Sequence, residues 1–154
     1  MVRRKKIFLV LAILWYLVIL TLSAQTASIS SNISGGITER LIITLEKLNV
    51  VPINSHQDIY FVDTFHTYIR KFAHMFEYFI LAIIVTNYFY NDSKINKKYI
   101  FLALLITIIA ASFDELFQTT IDGRSGQVTD VLIDGVGSSI GVLLTKIYKV
   151  YRNN

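Results

Sequence analysis

The chain contains no cysteine and a single proline in 154 residues. Without thiols it can form no disulfide framework, no thiolate nucleophile and no thiolate metal site. It also lacks an internal repeat, a low-complexity tract and a Gly-rich phosphate loop. Negative charge is scarce, with 11 Asp and Glu against 15 Lys and Arg, a net charge of +4. That excess does not point to nucleic acid, because the basic residues flank apolar segments instead of forming a stripe.

What the chain has in abundance is apolar surface, at 53% of its residues. Four stretches carry it: Ile7 to Leu22, Phe72 to Tyr90, Tyr99 to Phe113 and Val128 to Ile147. A hydrocarbon core of about 30 Å needs roughly 20 helical residues. The last three stretches reach that length only if ionisable residues are accepted inside them, and the first is about span length once Ser23 and Ala24 are included. The competing reading, a soluble bundle, fails because four such segments leave too little polar surface to cover them. The fold class expected is therefore all-α: a single membrane domain over residues 1–154, with spans at about 7–24, 71–90, 99–118 and 128–148. The first stretch has a rival reading as a cleaved signal peptide. Its apolar run is long for one and no A-x-A site follows, so a retained anchor is the expectation.

Orientation follows from the basic residues. Arg3, Arg4, Lys5 and Lys6, then Lys94, Lys97 and Lys98, then Lys146, Lys149 and Arg152 all fall on one side of a four-span chain. The positive-inside rule makes that side cytoplasmic, with both termini inside. Between the first two spans lies a long external segment. Ser28 to Gly36 is rich in Ser, Asn and Gly and reads as a loop. From Ile37 the apolar residues recur at Leu41, Leu45 and Leu48, which is helical spacing ended by Pro52. This external amphipathic helix is expected to lie over the outer end of the spans, and Gln57 to Tyr68 to approach the second span as a helix.

The ionisable residues in the spans share one depth. Arg70, His74 and Glu77 are four and three apart, so they occupy one helix face. Asp114 and Gln118 are four apart, as are Asp130 and Asp134. A rise of ~1.5 Å per residue puts Glu77 ~10 Å inward from Arg70 and Asp134 ~9 Å inward from Val128. Asp114, ~22 Å from Tyr99, stops ~8 Å short of the outer boundary. An ionised side chain at mid-membrane costs on the order of 2.5–3.5 kcal/mol, so these groups should face one another. Glu77, Asp114 and Asp134 are expected to form the interior of the cluster, with His74, Gln118 and Arg124 at its edge. Glu77, Asp114, Glu115, Asp130 and Asp134 outnumber Arg70, Lys71 and Arg124 by two. Protonated carboxyls, a charged His74 or a bound cation must close that gap. Gly137 and Gly141, with small-x-x-x-small spacing, serve close helix packing.

Three segments in order resemble the VanZ-like family of bacterial membrane proteins. They are R-K-F-A-H-M-F-E-Y at 70–78, D-E-L-F-Q at 114–118 and G-R-S-G-Q-V-T-D-V-L-I-D-G-V-G at 123–137. Carried over by position, the family's polar set falls on Arg70, Lys71, His74, Glu77, Asp114, Glu115, Gln118, Arg124, Asp130 and Asp134. The chain departs from the pattern at Phe117, where His is frequent, and at Asp122 and Gly135. The resemblance implies a role in the cell envelope and lowered susceptibility to lipoglycopeptide antibiotics such as teicoplanin. It supplies no reaction.

Two mechanisms stay open. In the first, an outer-leaflet site binds an anionic or amphiphilic envelope molecule, an envelope lipid or a glycopeptide-like ligand. Arg70, Lys71 and Arg124 would take phosphate or carboxylate oxygens, while Gln118, Asp130 and Asp134 orient them or bond hydroxyls. In the second, the protein is an intramembrane hydrolase or transferase of a lipid-phosphate or glycolipid. His74 and Glu77 would then act as general acid and base, and Asp114, Glu115 and Asp130 would hold a divalent cation. Ion or proton transfer comes third, since the acids do not continue to the cytoplasmic side. The topology is testable with reporter fusions at Lys5, Ser31, Lys94, Ser125 and Arg152. Internal signals are expected at 5, 94 and 152 and external ones at 31 and 125; an external signal at 94 refutes the shared site.

Overall fold

The computed structural model describes residues 2–52, 54–90 and 96–153. The described residues form five α-helices: α1 (Val2–Ser23), α2 (Ala27–Lys47), α3 (Ile59–Phe89), α4 (Lys97–Gln118) and α5 (Val128–Asn153). A 3-10 turn at Ser55–Gln57 precedes α3, and no strand occurs among the described residues. Helices α1, α3, α4 and α5 are each long and apolar enough to cross a membrane. Apolar side chains cover much of the outside, while the inside joins a small hydrophobic core around Tyr78, Leu81, Ala82 and Val85 to a set of buried charged groups. Leu9, Ile13, Leu14 and Leu17 lie exposed on α1, while Asp114 and Asp134 are 0% exposed. Burial in a water-soluble domain runs the other way; here the surrounding phase must be apolar and the charges turn away from it.

Helix α3 has 31 residues and is about 46 Å long, some 15 Å more than a bilayer core requires. Its first ten or so residues therefore stand beyond the spans, starting from an N-cap at which Asp58 accepts the Phe61 N–H at 3.1 Å. Against this projection packs α2, burying Thr38 and Ile42 and joining through a Ser34–His66 hydrogen bond. Three expectations change here. The segment Ser28 to Gly36 is helical, the first half of α2, not a loop. Helix α2 packs on α3 and the 3-10 turn, not across the ends of the other spans. Ile37, Leu41 and Leu48 point outward, because the face that α3 covers is the one carrying Thr38 and Ile42.

Pro52 does not end α2 either. Asn49, at φ 55°, takes the left-handed conformation. Its N–H bonds the Glu46 carbonyl at 3.0 Å and that of Val50 the Leu45 carbonyl at 2.9 Å. This is a Schellman arrangement with asparagine in glycine's usual place. Glu46 then accepts the His56 backbone N–H at 2.9 Å and faces its Nδ1 at 2.8 Å. Partial burial acts to raise the Glu46 carboxyl, but the hydrogen bonds from His56 outweigh it and hold the group below its ordinary value.

The helices α3 and α5 make the closest contact of the bundle. A Cβ at Gly137 would collide with the backbone carbonyl of Met75, and one at Gly141 with that of Phe79. Small residues let the two backbones touch, and the spacing of four keeps both glycines on one face. Helix α1 joins by side chains instead. Trp15 Nε1 donates to the Glu77 carbonyl of α3 at 2.9 Å, and Tyr16 Oη to the Ala110 carbonyl of α4 at 3.1 Å. Between α1, α3 and α4 this leaves an apolar groove of about 410 Å³. At the end away from α2, the Lys149 ammonium lies 4.5 Å and the Arg4 guanidinium 5.4 Å from the Tyr90 ring centroid. Lys94, assigned above to the loop at that end, lies outside the described residues.

The close approach gives a sharp stability test. Gly137→Ala should destabilise the chain by about 1–3 kcal/mol, the usual cost of overpacking. Gly135→Ala, whose new methyl meets nothing within 4 Å, should leave stability level or raised by the helix propensity of alanine. Thermal unfolding in detergent distinguishes the two; equal effects would contradict the packing described.

Candidate functional site

The charged residues of α3, α4, α5 and the α4–α5 loop meet at the α2 end of the bundle. On α5, Asp130, Asp134 and Ser138 repeat every four residues and all are buried. Asp130 comes first and accepts from Lys71 Nζ at 2.7 Å, an ion pair between α5 and α3. Lys71 is thus held across the bundle by a carboxylate. One turn deeper lies Asp134, with no hydrogen-bond partner on either carboxylate oxygen. Beneath it the Ser138 hydroxyl is also buried and unpartnered.

Opposite Asp134 stand His74 of α3 and Glu115 of α4. A ring nitrogen of His74 and one carboxylate oxygen each of Glu115 and Asp134 lie within 4.8 Å of one another. His74 Nδ1 is 4.0 Å from Glu77 Oε2, too long for a hydrogen bond, and both atoms are buried without a partner. Glu115 is better held. Its Oε2 accepts the Gln127 backbone N–H at 2.8 Å and its Oε1 faces Gln118 Nε2 at 3.4 Å. The first of these bonds ties the α4–α5 loop to α4 just before α5 begins.

Asp114 belongs to a neighbouring set. Its Oδ2 accepts from Ser23 Oγ at 2.9 Å and Gln118 Nε2 at 3.3 Å, while its Oδ1 has no partner. Gln118 also accepts from Arg124 Nη1 at 3.2 Å. Arg124 is carried over the site by a turn in which Gly123 has φ 75°, a conformation a side chain would strain. Its Nε is buried and unpartnered. Burial first, and then the charge of Arg70, push the Arg124 guanidinium below its ordinary value, against the opposing pull of Asp114, Glu115 and Glu77. Among the described residues neither Arg70 nor Arg124 forms an ion pair.

All ten residues picked from the sequence therefore converge, but not in the grouping expected. His74 sits inside the cluster beside Asp134 and Glu115, not at its edge. The ligating atoms of Asp114, Glu115 and Asp130 are not brought together as a group of three, and Lys71 engages Asp130. The groups placed to share a cation are His74, Glu115 and Asp134. Sequence reasoning missed Ser23, Ser138 and the Gln127 N–H. Ser138 continues the four-residue repeat from Asp130 and was visible in that sense; the other two depend on how α1 and the loop dock. Phe117 is 38% exposed, so the absence of histidine there leaves the cluster untouched.

Four apolar helices closed around a polar interior fit a multi-pass membrane protein. The VanZ/LLP1 family model matches residues 8–149, nearly the whole chain, and the protein belongs to that family. Neither curated proteins nor solved structures gave a match.

The Lys71–Asp130 pair can be weighed directly. Lys71→Met should cost on the order of 1–2 kcal/mol, because it leaves a buried carboxylate alone, discounted for the partial exposure of the lysine. Lys71→Met with Asp130→Leu should recover most of that loss. A double variant no more stable than the single one, by thermal unfolding in detergent, would remove the pair from the account.

Proposed function

We propose that the protein binds the anionic headgroup of an amphiphilic envelope molecule at the outer face of the cytoplasmic membrane, and so lowers susceptibility to lipoglycopeptides such as teicoplanin. The observation that carries this reading is the pair Arg70 and Arg124: neighbouring guanidinium groups of like charge, neither neutralised by a carboxylate. Such an arrangement is costly until an anion sits between them, and a phosphate or carboxylate accepts from guanidinium bidentately. The groove beside α1 supports an amphiphile over a soluble anion. It reaches Tyr16, Ala110 and Phe113 at the level of Asp114 and descends through Ile109 and Ile106 towards Leu9, which suits an acyl chain below a headgroup. The basic residues at the opposite end of the bundle favour an outward-facing site with both termini inside.

A second reading, an intramembrane hydrolase or transferase, is favoured by His74 and Glu77, whose facing atoms are buried and unpartnered. Ion or proton transfer is the weakest, because no acid of the described spans lies in the half of the bundle away from α2.

Antibiotic susceptibility in a host lacking its own homologue, with membrane abundance measured in parallel, separates these readings. Under binding, Arg70→Ala or Arg124→Ala should weaken ligand retention roughly tenfold to a hundredfold, the worth of one hydrogen-bonded charge contact, and abolish protection. Glu77→Gln should then keep most of it. Loss of protection in Glu77→Gln with the arginine variants intact would favour chemistry. If all three variants, at normal abundance, protect like the parent chain, the cluster has no role in resistance.

A further inference from the structure

We propose that His74, Glu115 and Asp134 form a site for one divalent transition-metal ion, of the zinc or manganese type, inside the bundle beneath the two arginines. Three helices each contribute one ligand: α3 the imidazole, α4 and α5 a carboxylate each. Their ligating atoms lie within 4.8 Å of one another, and no other group of three such residues does so among the described residues. Donors sharing an ion at ~2.1 Å are about 3.4 Å apart in a tetrahedral site, so side-chain rotations of about 1 Å close the set.

The buried carboxylate of Asp134 is the independent observation. It is 0% exposed, and neither oxygen has a hydrogen-bond partner. Ionised, it would be an uncompensated charge in a low-dielectric interior. Protonated, its O–H would lack an acceptor, and buried donors are rarely left so. A cation on this carboxylate removes both difficulties. His74 Nδ1 is likewise buried without a partner, whereas Asp130 is already paired with Lys71. A doubly charged ion also neutralises the two carboxylates by which the acids of the site outnumber its cations. Imidazole together with carboxylates selects zinc- or manganese-type ions over magnesium and calcium, which favour all-oxygen shells. Three protein ligands leave coordination positions open. This inference stands apart from the anionic-ligand reading, because it concerns only the ion and the chain.

The test uses the full chain in detergent, stripped with a chelator and titrated with Mn²⁺ or Zn²⁺ alone. Bound ion is measured by elemental analysis after gel filtration, and Mn²⁺ also by electron paramagnetic resonance. About one ion per chain is expected, with a raised thermal midpoint and no competition from excess Mg²⁺. Asp134→Asn and His74→Ala should each weaken binding at least a hundredfold, more than the loss of an outer-shell partner does. Asp130→Asn should change it less than about threefold, because that carboxylate faces Lys71. The parent chain alone can refute the site: a folded, monodisperse preparation that takes up no ion and shows no thermal shift overturns the proposal. So does parental affinity in Asp134→Asn and His74→Ala. A metal-free parent that Asp134→Asn stabilises would show instead that the carboxyl is a protonated packing group.

Discussion

Backbone contact between α3 and α5 is the constraint on which the remainder of the structure depends. Gly137 and Gly141 let the helices approach until a Cβ would meet the carbonyls of Met75 and Phe79. The same two helices bring Asp130 to hydrogen-bond distance from Lys71 and, one turn on, Asp134 beside His74. In lipid the hydrophobic effect contributes little to helix association, so packing and polar contacts must do it. The glycine seam supplies the packing, and the polar cluster beside it gives the bundle its register. Helices α1 and α4 are then placed by directional bonds: Trp15 and Tyr16 to backbone carbonyls, Ser23 to Asp114.

Charge is layered along the bundle axis. Arg70 and Arg124 lie towards the α2 end, the Lys71–Asp130 pair crosses beneath the first of them, and His74, Glu77, Glu115 and Asp134 come deeper. Beyond these, no acid follows in the spans among the described residues, and the far end carries Lys149 and Arg4 over Tyr90. A ligand approaching from the α2 side therefore meets cations before acids. That order suits a molecule with an anionic group at its tip and hydroxyl or metal-binding groups behind it.

The architecture was legible from the sequence where it rests on composition and rise. Four apolar stretches and a rise of 1.5 Å per residue were enough to place Glu77, Asp114 and Asp134 at one depth, because depth depends on position along the helix alone. Which of them touch depends on the rotation of each helix about its axis, and no periodicity reports that. Hence Asp114 turned towards Ser23, and His74 moved from the edge of the cluster to its interior. Ser28 to Gly36 misled for a different reason. Ser, Asn and Gly disfavour a helix by local competition and backbone entropy, a penalty of tenths of a kilocalorie to about 1 kcal/mol per residue, within reach of the packing that the rest of α2 gains on α3. The Schellman end at Asn49 shows the same limit: asparagine in the left-handed region is common enough to occur, but not enough to be read in advance.

The surplus of acids over cations is where sequence and structure together constrain function most. Counting alone shows the excess, and three remedies would satisfy it equally: proton, charged imidazole or metal. Geometry narrows them. A proton on Asp134 would remove its charge, but both of its oxygens are buried without a hydrogen-bond partner. An imidazolium would gain from donating to a carboxylate, and His74 Nδ1 stands 4.0 Å from Glu77 without a hydrogen bond. An ion placed among His74, Glu115 and Asp134 meets three donors from three helices, two of them otherwise unused. On the two proposals made above, the unsatisfied layers of the site are complementary, an inner one suited to a cation and an outer one suited to an anionic headgroup.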